Sequence, residues 1–432
     1  MALHVMDEAK LCLGCPKPRC QEGCPIKTDI PNVIKLLKAG KLDEAGWKLF
    51  ENNPLTTVCS IVCNHEKQCE GHCVRGLKGS PVHFSVIENY ISTTYASHMV
   101  KGPTPRNGMK VAIVGSGPAG LTIAVQLQRK GYDVTIFEAR RKTGGMMRYG
   151  IPKFRLPDAI LDDFEYRHLQ LKGIKIRTST QVGRTLTIDD MFRDGYKAVF
   201  IGAGLWKANS SHIKGETLGN VMYGIDFLAD KGGFNQLGND VAIIGVGNSA
   251  MDCARVAIRR GARHVTCYAR RDEIAASQYE ASYAKLEGVE FRMCKAPIEI
   301  REDGLICQDT EKNADGKWVP IPGTEKLYKH SSVIISIGQG SETHVTEGSS
   351  VGRGEKGLLE VQPSGVTSQP GVFAAGDAVS GAKTVVAAVA AAKLVAEEMD
   401  KYMQSLPKEE TVPTSYPVYD APNADVLSEQ KL

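Results

Sequence analysis

The sequence predicts an α/β protein in which two Rossmann-like dinucleotide-binding domains follow a helical, cysteine-rich segment. Three observations predict this fold class. An apolar strand that runs into a glycine-rich turn and then a helix occurs twice, about 130 positions apart. Strands and helices alternate through both of these regions, as they do in a parallel sheet with covering helices. Eight of the twelve cysteines lie between Cys12 and Cys73.

Composition limits the classes of protein to which the chain can belong. Its 432 residues, 42% hydrophobic and 24% charged, fit an ordinary globular protein of two to four domains. A net charge of +4 and an aromatic content of 6% give no indication of a nucleic-acid partner. The sequence has neither an apolar run that could span a bilayer nor a secretory leader. We therefore expect a cytoplasmic protein without a membrane partner.

The cysteine-rich segment contains two groups of four cysteines. They read Cys12-x2-Cys15-x4-Cys20-x3-Cys24-Pro25 and Cys59-x3-Cys63-x5-Cys69-x3-Cys73. Zinc modules usually pair two short C-x2-C knuckles, and only one is present here. A cysteine run that closes in Cys-Pro is typical of bacterial two-cluster ferredoxins, in which the last cysteine ligates the other cluster. The segment therefore predicts two 4Fe–4S clusters, with zinc as the alternative.

The remaining cysteines have no ligand spacing, and we expect them to be small buried hydrophobic residues. They are Cys253, Cys267, Cys294 and Cys307.

The first glycine-rich turn has the features of a dinucleotide site. Gly115 makes the tight turn, Gly117 lets a pyrophosphate approach the backbone, and Gly120 lets the helix pack on the strand. The next strand ends in Glu138, where a ribose hydroxyl would be bound. A glycine pattern alone is a weak signal and could be a turn without a ligand. Here the strand, the helix and the acid coincide, which favours a bound dinucleotide.

Two further segments favour FAD as the first ligand. One follows Glu138 and contains Gly145; the other is an apolar strand that ends in Gly376-Asp377. Flavoproteins with two dinucleotide-binding domains use such an aspartate on the ribityl chain of the flavin. A helix that begins at Thr384 is then expected to point its N-terminus toward the isoalloxazine ring.

The second glycine-rich turn repeats the pattern as Gly245, Gly247 and Ala250. The strand that follows it ends in Arg270-Arg271 in place of an acid. Paired guanidinium groups bind a 2′-phosphate, whereas an acid would repel it. The second site is therefore predicted to take NADPH. NADH remains possible, because a basic pair at a strand end can also be an ordinary solvated pair.

The order of these motifs divides the chain into five segments. A Pro- and Gly-rich linker precedes the first strand, and the C-terminal tail is rich in Pro and Glu. The expected segments are a helical iron–sulfur domain at 1–103, the first part of the FAD domain at 104–210, an NAD(P)H domain at 211–329, the second part of the FAD domain at 330–402 and a tail at 403–432.

Taken together, the motifs resemble one known family. Their order, which includes the segment Gly144-Gly-Met-Met-Arg-Tyr-Gly-Ile-Pro-Lys-Phe-Arg-Leu-Pro157, is similar to the glutamate synthase small subunit. It is also similar to the N-terminal half of dihydropyrimidine dehydrogenase and to its separate bacterial electron-input subunit. The resemblance runs from about Cys12 to Met399. It implies oxidation of NAD(P)H and transfer of electrons through FAD and two 4Fe–4S clusters to a larger catalytic partner subunit, and it implies that Arg155 contributes to cofactor binding.

The resemblance also implies a set of cluster ligands. In that family one cluster takes the first three cysteines and a Glu or Gln side chain, and the other takes the fourth cysteine with three cysteines of the second group. Carried over, the first set is Cys12, Cys15, Cys20 and Glu88, and the second set is Cys24, Cys63, Cys69 and Cys73. Cys59 is then left over, and whether Glu88 or Cys59 completes the first cluster stays open.

Within the family, two features favour the pyrimidine branch. Ile274-Ala-Ala-Ser follows the arginine pair where glutamate synthase small subunits generally have Met-Pro-Ala, and Gly381-Ala-Lys-Thr-Val-Val resembles the pyrimidine subunit. The alternatives are a glutamate synthase small subunit and a ferredoxin:NADP oxidoreductase large subunit. A non-catalytic redox sensor is a rival, although an intact second turn argues against it. No acid–base set is expected, because hydride transfer needs none.

Overall fold

A computed structural model describes residues 4–98, 105–230 and 237–407. Part of the expected linker and most of the expected tail lie outside these ranges. Within them, no helix combines the length and the apolar character that crossing a bilayer would require. The predicted fold class is confirmed, since two parallel sheets with covering helices follow a helical N-terminal domain.

The elements are numbered here in chain order. The α-helices are α1 (Val5–Lys10), α2 (Arg19–Glu22), α3 (Ile30–Lys38), α4 (Leu42–Asn52), α5 (Thr56–Val62), α6 (Phe84–His98), α7 (Pro118–Arg129), α8 (Met146–Tyr149), α9 (Asp158–Phe164), α10 (Ile188–Arg193), α11 (Gly224–Ala229), α12 (Asn248–Arg259), α13 (Gln278–Leu286), α14 (Asp377–Ser380) and α15 (Val385–Ser405). Short 3-10 or π turns occupy His65–Lys67, Val74–Leu77, Glu165–Leu169, Gln170–Lys172 and His344–Thr346.

The strands are β1 (Lys110–Val114), β2 (Asp133–Phe137), β3 (Lys175–Arg177), β4 (Tyr196–Ile201), β5 (Lys207–Ala208), β6 (Val221–Tyr223), β7 (Asp240–Ile244), β8 (His264–Tyr268), β9 (Glu290–Arg292), β10 (Lys295–Arg301), β11 (Gly304–Lys312), β12 (Trp318–Pro320), β13 (Lys326–Lys329), β14 (Ser332–Ile335), β15 (Gln339–Gly340) and β16 (Val372–Ala374).

The N-terminal domain is a small helical bundle. Its helices bury a shared core that includes Val33, Ile34, Leu49, Ile87 and Ile91. Pro31 lies in the first turn of α3, where its missing N–H costs no hydrogen bond. The cysteines lie mainly in the turns between these helices and at their ends, so the bundle forms a scaffold around them.

The first sheet is parallel, with the strand order β16-β4-β1-β2-β3. Its central strands are apolar and buried, as expected for a parallel sheet that is covered on both faces. The helices α7 and α15 pack against each other on one face of the sheet. The domain built around this sheet is called the first domain. Because β16 pairs with β4 from far downstream in the sequence, this domain is built from two separate parts of the chain.

The second sheet is also parallel, with the order β6-β14-β7-β8-β9. Its last strand in the sequence, Ser332–Ile335, pairs with both β6 and β7. The domain built around this sheet is called the second domain. It therefore extends beyond the expected boundary at residue 329. The four residues of this strand are buried and apolar or small, so the sequence indicates a buried strand without telling which sheet takes it.

Antiparallel strands complete the second half of the molecule. The pair β5 and β15 forms a two-stranded ribbon where the chain leaves the first domain and where it returns. The strands β10, β11, β12 and β13 form an antiparallel sheet on the second domain. The alternation of strands and helices in the sequence did not predict this sheet. It bears on the second site because it contacts the chain directly after β8.

Candidate cofactor sites

A cavity of about 380 Å³ lies at the carboxyl ends of the strands of the first sheet. We call it the first-domain cavity. Most of the predicted first-site residues line it, namely Gly115, Gly117, Glu138, Gly145, Gly376, Asp377 and Thr384. Ligands of open α/β sheets bind in this position. Gly120 and Arg155 are not among the lining residues.

The glycines of the first turn have the geometry that their expected roles require. Gly115 has φ +93°, and a Cβ there would lie 2.6 Å from the carbonyl oxygen of Gly202. A Cβ on Gly120 would lie 2.0 Å from the carbonyl oxygen of Gly115, so this glycine lets α7 pack on the strand. Among the residues that the structure describes, a Cβ on Gly117 would meet nothing within 4 Å, because that position faces open space.

The N-terminus of α7 is free to bind an anion. Its N-cap residue is Gly117, which has no side chain to accept a hydrogen bond from the first turn. The first amides of a helix have no partner within the helix and carry its partial positive charge. An open, uncapped helix N-terminus in the wall of a cavity fits the pyrophosphate of a dinucleotide.

Glu138 is held firmly at the wall of the first-domain cavity. Its carboxylate accepts hydrogen bonds from the backbone N–H of Ser116 at 3.0 Å, from the Ser116 hydroxyl, and from the backbone N–H of Arg140 at 2.7 Å. A carboxylate has about four acceptor positions, so these contacts leave capacity for a ribose hydroxyl. The carboxylate is thus oriented before any ligand binds.

The opposite wall of the cavity comes from the chain around β16. A carboxylate oxygen of Asp377 accepts a hydrogen bond from the backbone N–H of Lys383 at 3.1 Å, and burial raises the pKa of Asp377 to about 6. Thr384 caps α15 by accepting from the backbone N–H of Ala387 at 3.3 Å. Lys383 also lines the cavity, although the sequence analysis did not identify it as a site residue. The signal available was a cation directly before a helix cap.

The second glycine turn repeats this geometry. Gly245 has φ +129°, and a Cβ there would lie 2.2 Å from the carbonyl oxygen of Ser336. Gly247 is the uncapped N-cap residue of α12, and its Cβ position is open. Ala250 is fully buried where the first turn has its third glycine. This turn therefore also presents free helix amides to an anion.

The arginine pair lies at the solvent-exposed end of the second site. Arg270 and Arg271 are both exposed and directly follow β8 and Ala269. Their backbone is fixed by the antiparallel sheet, since the Thr310 hydroxyl donates to the carbonyl of Arg270 at 2.8 Å and the backbone N–H of Cys294 donates to that of Arg271 at 3.1 Å. Exposed guanidinium groups on a fixed backbone fit a phosphate ligand.

Arg155 joins the first domain to the second. Its guanidinium contacts Asp252 of α12 at 2.8 Å and Glu280 of α13 at 2.7 Å. Burial raises the pKa of Asp252 to about 6, and the Arg155 charge opposes that rise. In this structure the Arg155 guanidinium thus forms an interdomain ion pair, and its expected contribution to cofactor binding stays a prediction. Its partners could not be found from the sequence, since they lie 97 and 125 positions further along the chain.

Four cysteines come together at one end of the helical domain. Cys73, Cys12 and Cys15 are close enough to the Cys20 thiol to act on it electrostatically, and all four line one pocket. We call these four residues the first ligand group. Burial raises the pKa of Cys20 to about 11. A metal cluster would supply the positive charge that a buried thiolate requires.

A second set of side chains lies deeper in the bundle. Cys63 lies beside Cys59, Glu88 and Cys69, and Cys69 is also close to Cys24. We call these five residues the second ligand group. Glu88 is only 6% exposed, accepts a hydrogen bond from the Thr56 hydroxyl at 2.7 Å, and has its pKa raised to about 7 by burial. Thiols together with a buried carboxyl fit a mixed-ligand iron–sulfur cluster.

This grouping differs from the pairing that the resemblance implied. Cys73 completes the first ligand group, and Glu88 belongs to the second. The reason is that the chain after Cys69 folds back onto the first cysteines. A Cβ on Gly23 would lie 2.5 Å from the His72 ring, and Arg75 donates to the carbonyl of Leu11 at 3.4 Å. The choice between Glu88 and Cys59 therefore concerns the second ligand group.

Two further observations concern metal and thiol chemistry. No three His, Cys, Asp or Glu side chains in the described ranges converge closely enough to hold a single metal ion. Of the later cysteines, Cys253, Cys267 and Cys307 are buried as expected, whereas Cys294 is partly exposed.

Two family models match the chain. Residues 109–392 match the pyridine nucleotide-disulphide oxidoreductase model. Residues 2–100 match the model of dihydropyrimidine dehydrogenase domain II, 4Fe-4S cluster. Together these models imply FAD, NAD(P) and 4Fe–4S clusters as the cofactors of the family.

Three curated relatives have similar identity to this chain. The NADP(+)-dependent formate dehydrogenase subunit beta of Moorella thermoacetica is 34% identical, and the match covers 89% of this chain but only 60% of that subunit. The glutamate synthase [NADPH] small chain of Escherichia coli is 32% identical, with 92% and 91% covered. The NAD-dependent dihydropyrimidine dehydrogenase subunit PreT of Escherichia coli is 31% identical, with 93% and 95% covered.

The fold itself recurs in solved structures. FprA of Mycobacterium tuberculosis in complex with NADPH superimposes with a TM-score of 0.60 at 17% identity, over 70% of this chain and 85% of that one. This likeness concerns the fold alone.

Proposed function

Because this chain belongs to the pyridine nucleotide-disulphide oxidoreductase family, in the branch that carries an N-terminal 4Fe-4S domain, we propose that it is the electron-input subunit of a larger redox enzyme. It oxidises NAD(P)H and passes the electrons to a partner subunit. FAD accepts hydride and releases single electrons, and 4Fe–4S clusters carry single electrons onward. The protein binds, orients and connects these groups.

The observation that carries the proposal is the series of sites. Helix α15 begins at the first-domain cavity and packs against α5, which contains Cys59 of the second ligand group. Cys69 of that group also lines the pocket of the first ligand group. The cysteines of the first ligand group are partly exposed, and Cys12 and Cys15 border an open surface groove. The order is therefore cavity, second group, first group, surface.

The proposed residue roles follow from this series. FAD binds in the first-domain cavity, with its pyrophosphate at Gly117, its ribose at Glu138 and its ribityl chain at Asp377. The nicotinamide nucleotide binds at Gly245, Gly247 and Ala250. The first ligand group holds one cluster, and four members of the second ligand group hold the other.

A dye-reduction assay tests the function. The anaerobically purified protein should contain FAD and two clusters, and NADPH should reduce a one-electron acceptor such as ferricyanide. A redox sensor or scaffold would bind the cofactors without NAD(P)H-driven turnover. Loaded protein that fails to reduce the dye with either nucleotide would refute the proposal.

For the nucleotide, the proposal is NADPH, supported by the exposed Arg270 and Arg271. The names of the relatives do not decide this, because PreT is called NAD-dependent and the glutamate synthase chain is called an NADPH enzyme. Competing the two nucleotides in the dye assay tests the choice directly.

For the partner, the proposal is a pyrimidine-reducing subunit, supported by Ile274-Ala-Ala-Ser and Gly381-Ala-Lys-Thr-Val-Val. The glutamate synthase alternative is favoured by an equally high identity. Mixing the protein with each kind of purified partner distinguishes them. NADPH-dependent reduction of uracil supports the first, and NADPH-dependent formation of glutamate from glutamine and 2-oxoglutarate supports the second.

A further inference from the structure

Lys393 of α15 lies between the first-domain cavity and the second ligand group. The helix cap Thr384 lines the cavity, and Lys393 follows it by nine residues. At 1.5 Å per residue, that separation is about 13 Å along the helix axis. At its other side Lys393 is close enough to Cys24 for the two groups to interact electrostatically. Lys393 therefore lies at the contact between the first domain and the helical N-terminal domain.

A chain of hydrogen bonds holds the ammonium group there. The Lys393 Nζ donates to Asn52 Oδ1 at 2.5 Å, and Asn52 Nδ2 donates to Thr28 Oγ1 at 3.1 Å. The Cys24 thiol donates to the same Thr28 oxygen at 3.4 Å. Lys393 is thus connected to a member of the second ligand group through two neutral side chains.

The charge of Lys393 has no paired anion in the described part of the chain. Its only hydrogen-bond acceptor there is the Asn52 amide oxygen. Glu51 is the acid that acts on Lys393 electrostatically, but Glu51 already forms an ion pair with Arg129 at 3.5 Å. The side chain is half-buried, and buried charges are normally paired. A cluster with thiolate and carboxylate ligands is an anion and would supply the missing partner.

Resting on the proposed function, we infer that Lys393 is the countercharge of the cluster in the second ligand group and that it raises the reduction potential of that cluster. Reduction adds one electron to the cluster and leaves every ligand bond in place. A fixed positive charge nearby stabilises the more negative, reduced form. Lys393 thereby favours acceptance of an electron from the side of the first-domain cavity. It is a positioning residue, because it acts through the cluster and has no role in the hydride step.

The test is a redox titration of the anaerobically purified holoprotein, followed by EPR. Lys393→Gln removes the charge but keeps an N–H donor for Asn52, and Lys393→Arg keeps the charge. Lys401→Gln is the matched control, because Lys401 is a 75% exposed lysine of the same helix. Iron and FAD contents are measured for every variant.

Lys393→Gln should lower the ratio of reduced to oxidised cluster at a fixed potential by roughly tenfold, which equals about 59 mV for a one-electron couple. Only one of the two clusters should shift, and Lys393→Arg and Lys401→Gln should match the unmodified protein. An unchanged potential in Lys393→Gln overturns the inference. So does an equal shift in Lys401→Gln, or a loss of iron in Lys393→Gln, which would mean that Lys393 holds the site together. If the unmodified protein carries no clusters, it is the proposed function that fails.

Discussion

Two open glycine positions allow the cofactor assignment to be tested without disturbing the fold. Gly117 and Gly247 are the N-cap residues of α7 and α12, and a Cβ on either would meet nothing within 4 Å in the described part of the chain. Their φ values of −70° and −85° suit any residue. Valine at either position should therefore fold, at a cost of about 1 kcal/mol for the poorer N-cap. Its side chain would occupy the space that a pyrophosphate needs.

The size of the effect follows from the contacts that are lost. A hydrogen bond from a helix amide to a phosphate contributes about 1.5–3 kcal/mol. If valine displaces the phosphate from two such amides, the loss is about 3–6 kcal/mol, or at least about 100-fold in affinity. Gly117→Val should therefore be purified without FAD. Gly247→Val should keep FAD but lose its reduction by NADPH.

The assay compares the two variants directly. The flavin absorbance of each purified protein gives the FAD content, and circular dichroism melting verifies the fold. Stopped-flow bleaching of the flavin by NADPH then reports on the second site. A full flavin spectrum in Gly117→Val would refute the assignment of FAD to the first turn. Flavin loss in Gly247→Val with retention in Gly117→Val would mean that the two sites are exchanged.

Three further predictions concern side chains of the second site, the second ligand group and the interdomain contact. Replacing both Arg270 and Arg271 by alanine should raise the KM for NADPH at least about 100-fold and leave that for NADH nearly unchanged, since two charge-assisted contacts of about 1.5–3 kcal/mol each are lost; equal effects in steady-state kinetics would count against a 2′-phosphate site. Glu88→Ala should lose iron and one EPR signal while Cys59→Ala keeps both, and the reverse result would make Cys59 the ligand. Arg155→Met should leave Asp252 buried without its partner and destabilise the interdomain contact by about 3–5 kcal/mol. Calorimetry should then show a lower Tm that Asp252→Asn partly restores, and an unchanged Tm would contradict the importance of the pair.

The features that could be predicted from the sequence are those encoded within a short stretch of chain. Each glycine turn is recognisable from its own strand, turn and helix, and the close approach of Gly120 to the carbonyl of Gly115 lies within that stretch. Gly115 and Gly245 also have a positive φ, although the carbonyls that their Cβ atoms would meet belong to later strand ends. A positive φ or a backbone contact under 3 Å excludes other residues, so the sequence pattern and the geometry have the same cause. This is why the fold class and the lining of the first-domain cavity could be anticipated.

The features that could not be predicted depend on contacts between distant parts of the chain. The strand Ser332–Ile335 has the composition of a buried strand, but only its pairing with β6 and β7 assigns it to the second domain. The partners of Arg155 lie on two helices of another domain. In each case the residue type signalled burial or charge, while the partner was chosen by tertiary packing.

The cysteine segment combines both situations. Its spacing identifies the thiols, because clustered soft ligands in such a chain favour iron–sulfur chemistry. It does not assign them to clusters, since Cys73 reaches the first ligand group only when the turn at His72 closes onto Gly23. That closure brings Cys69 to the border between the two groups and leaves Glu88 beside Cys63 and Cys69. The two groups therefore cannot form one after the other along the chain. Each needs residues from both ends of the segment, so filling either group with a cluster should stabilise the whole helical domain against unfolding.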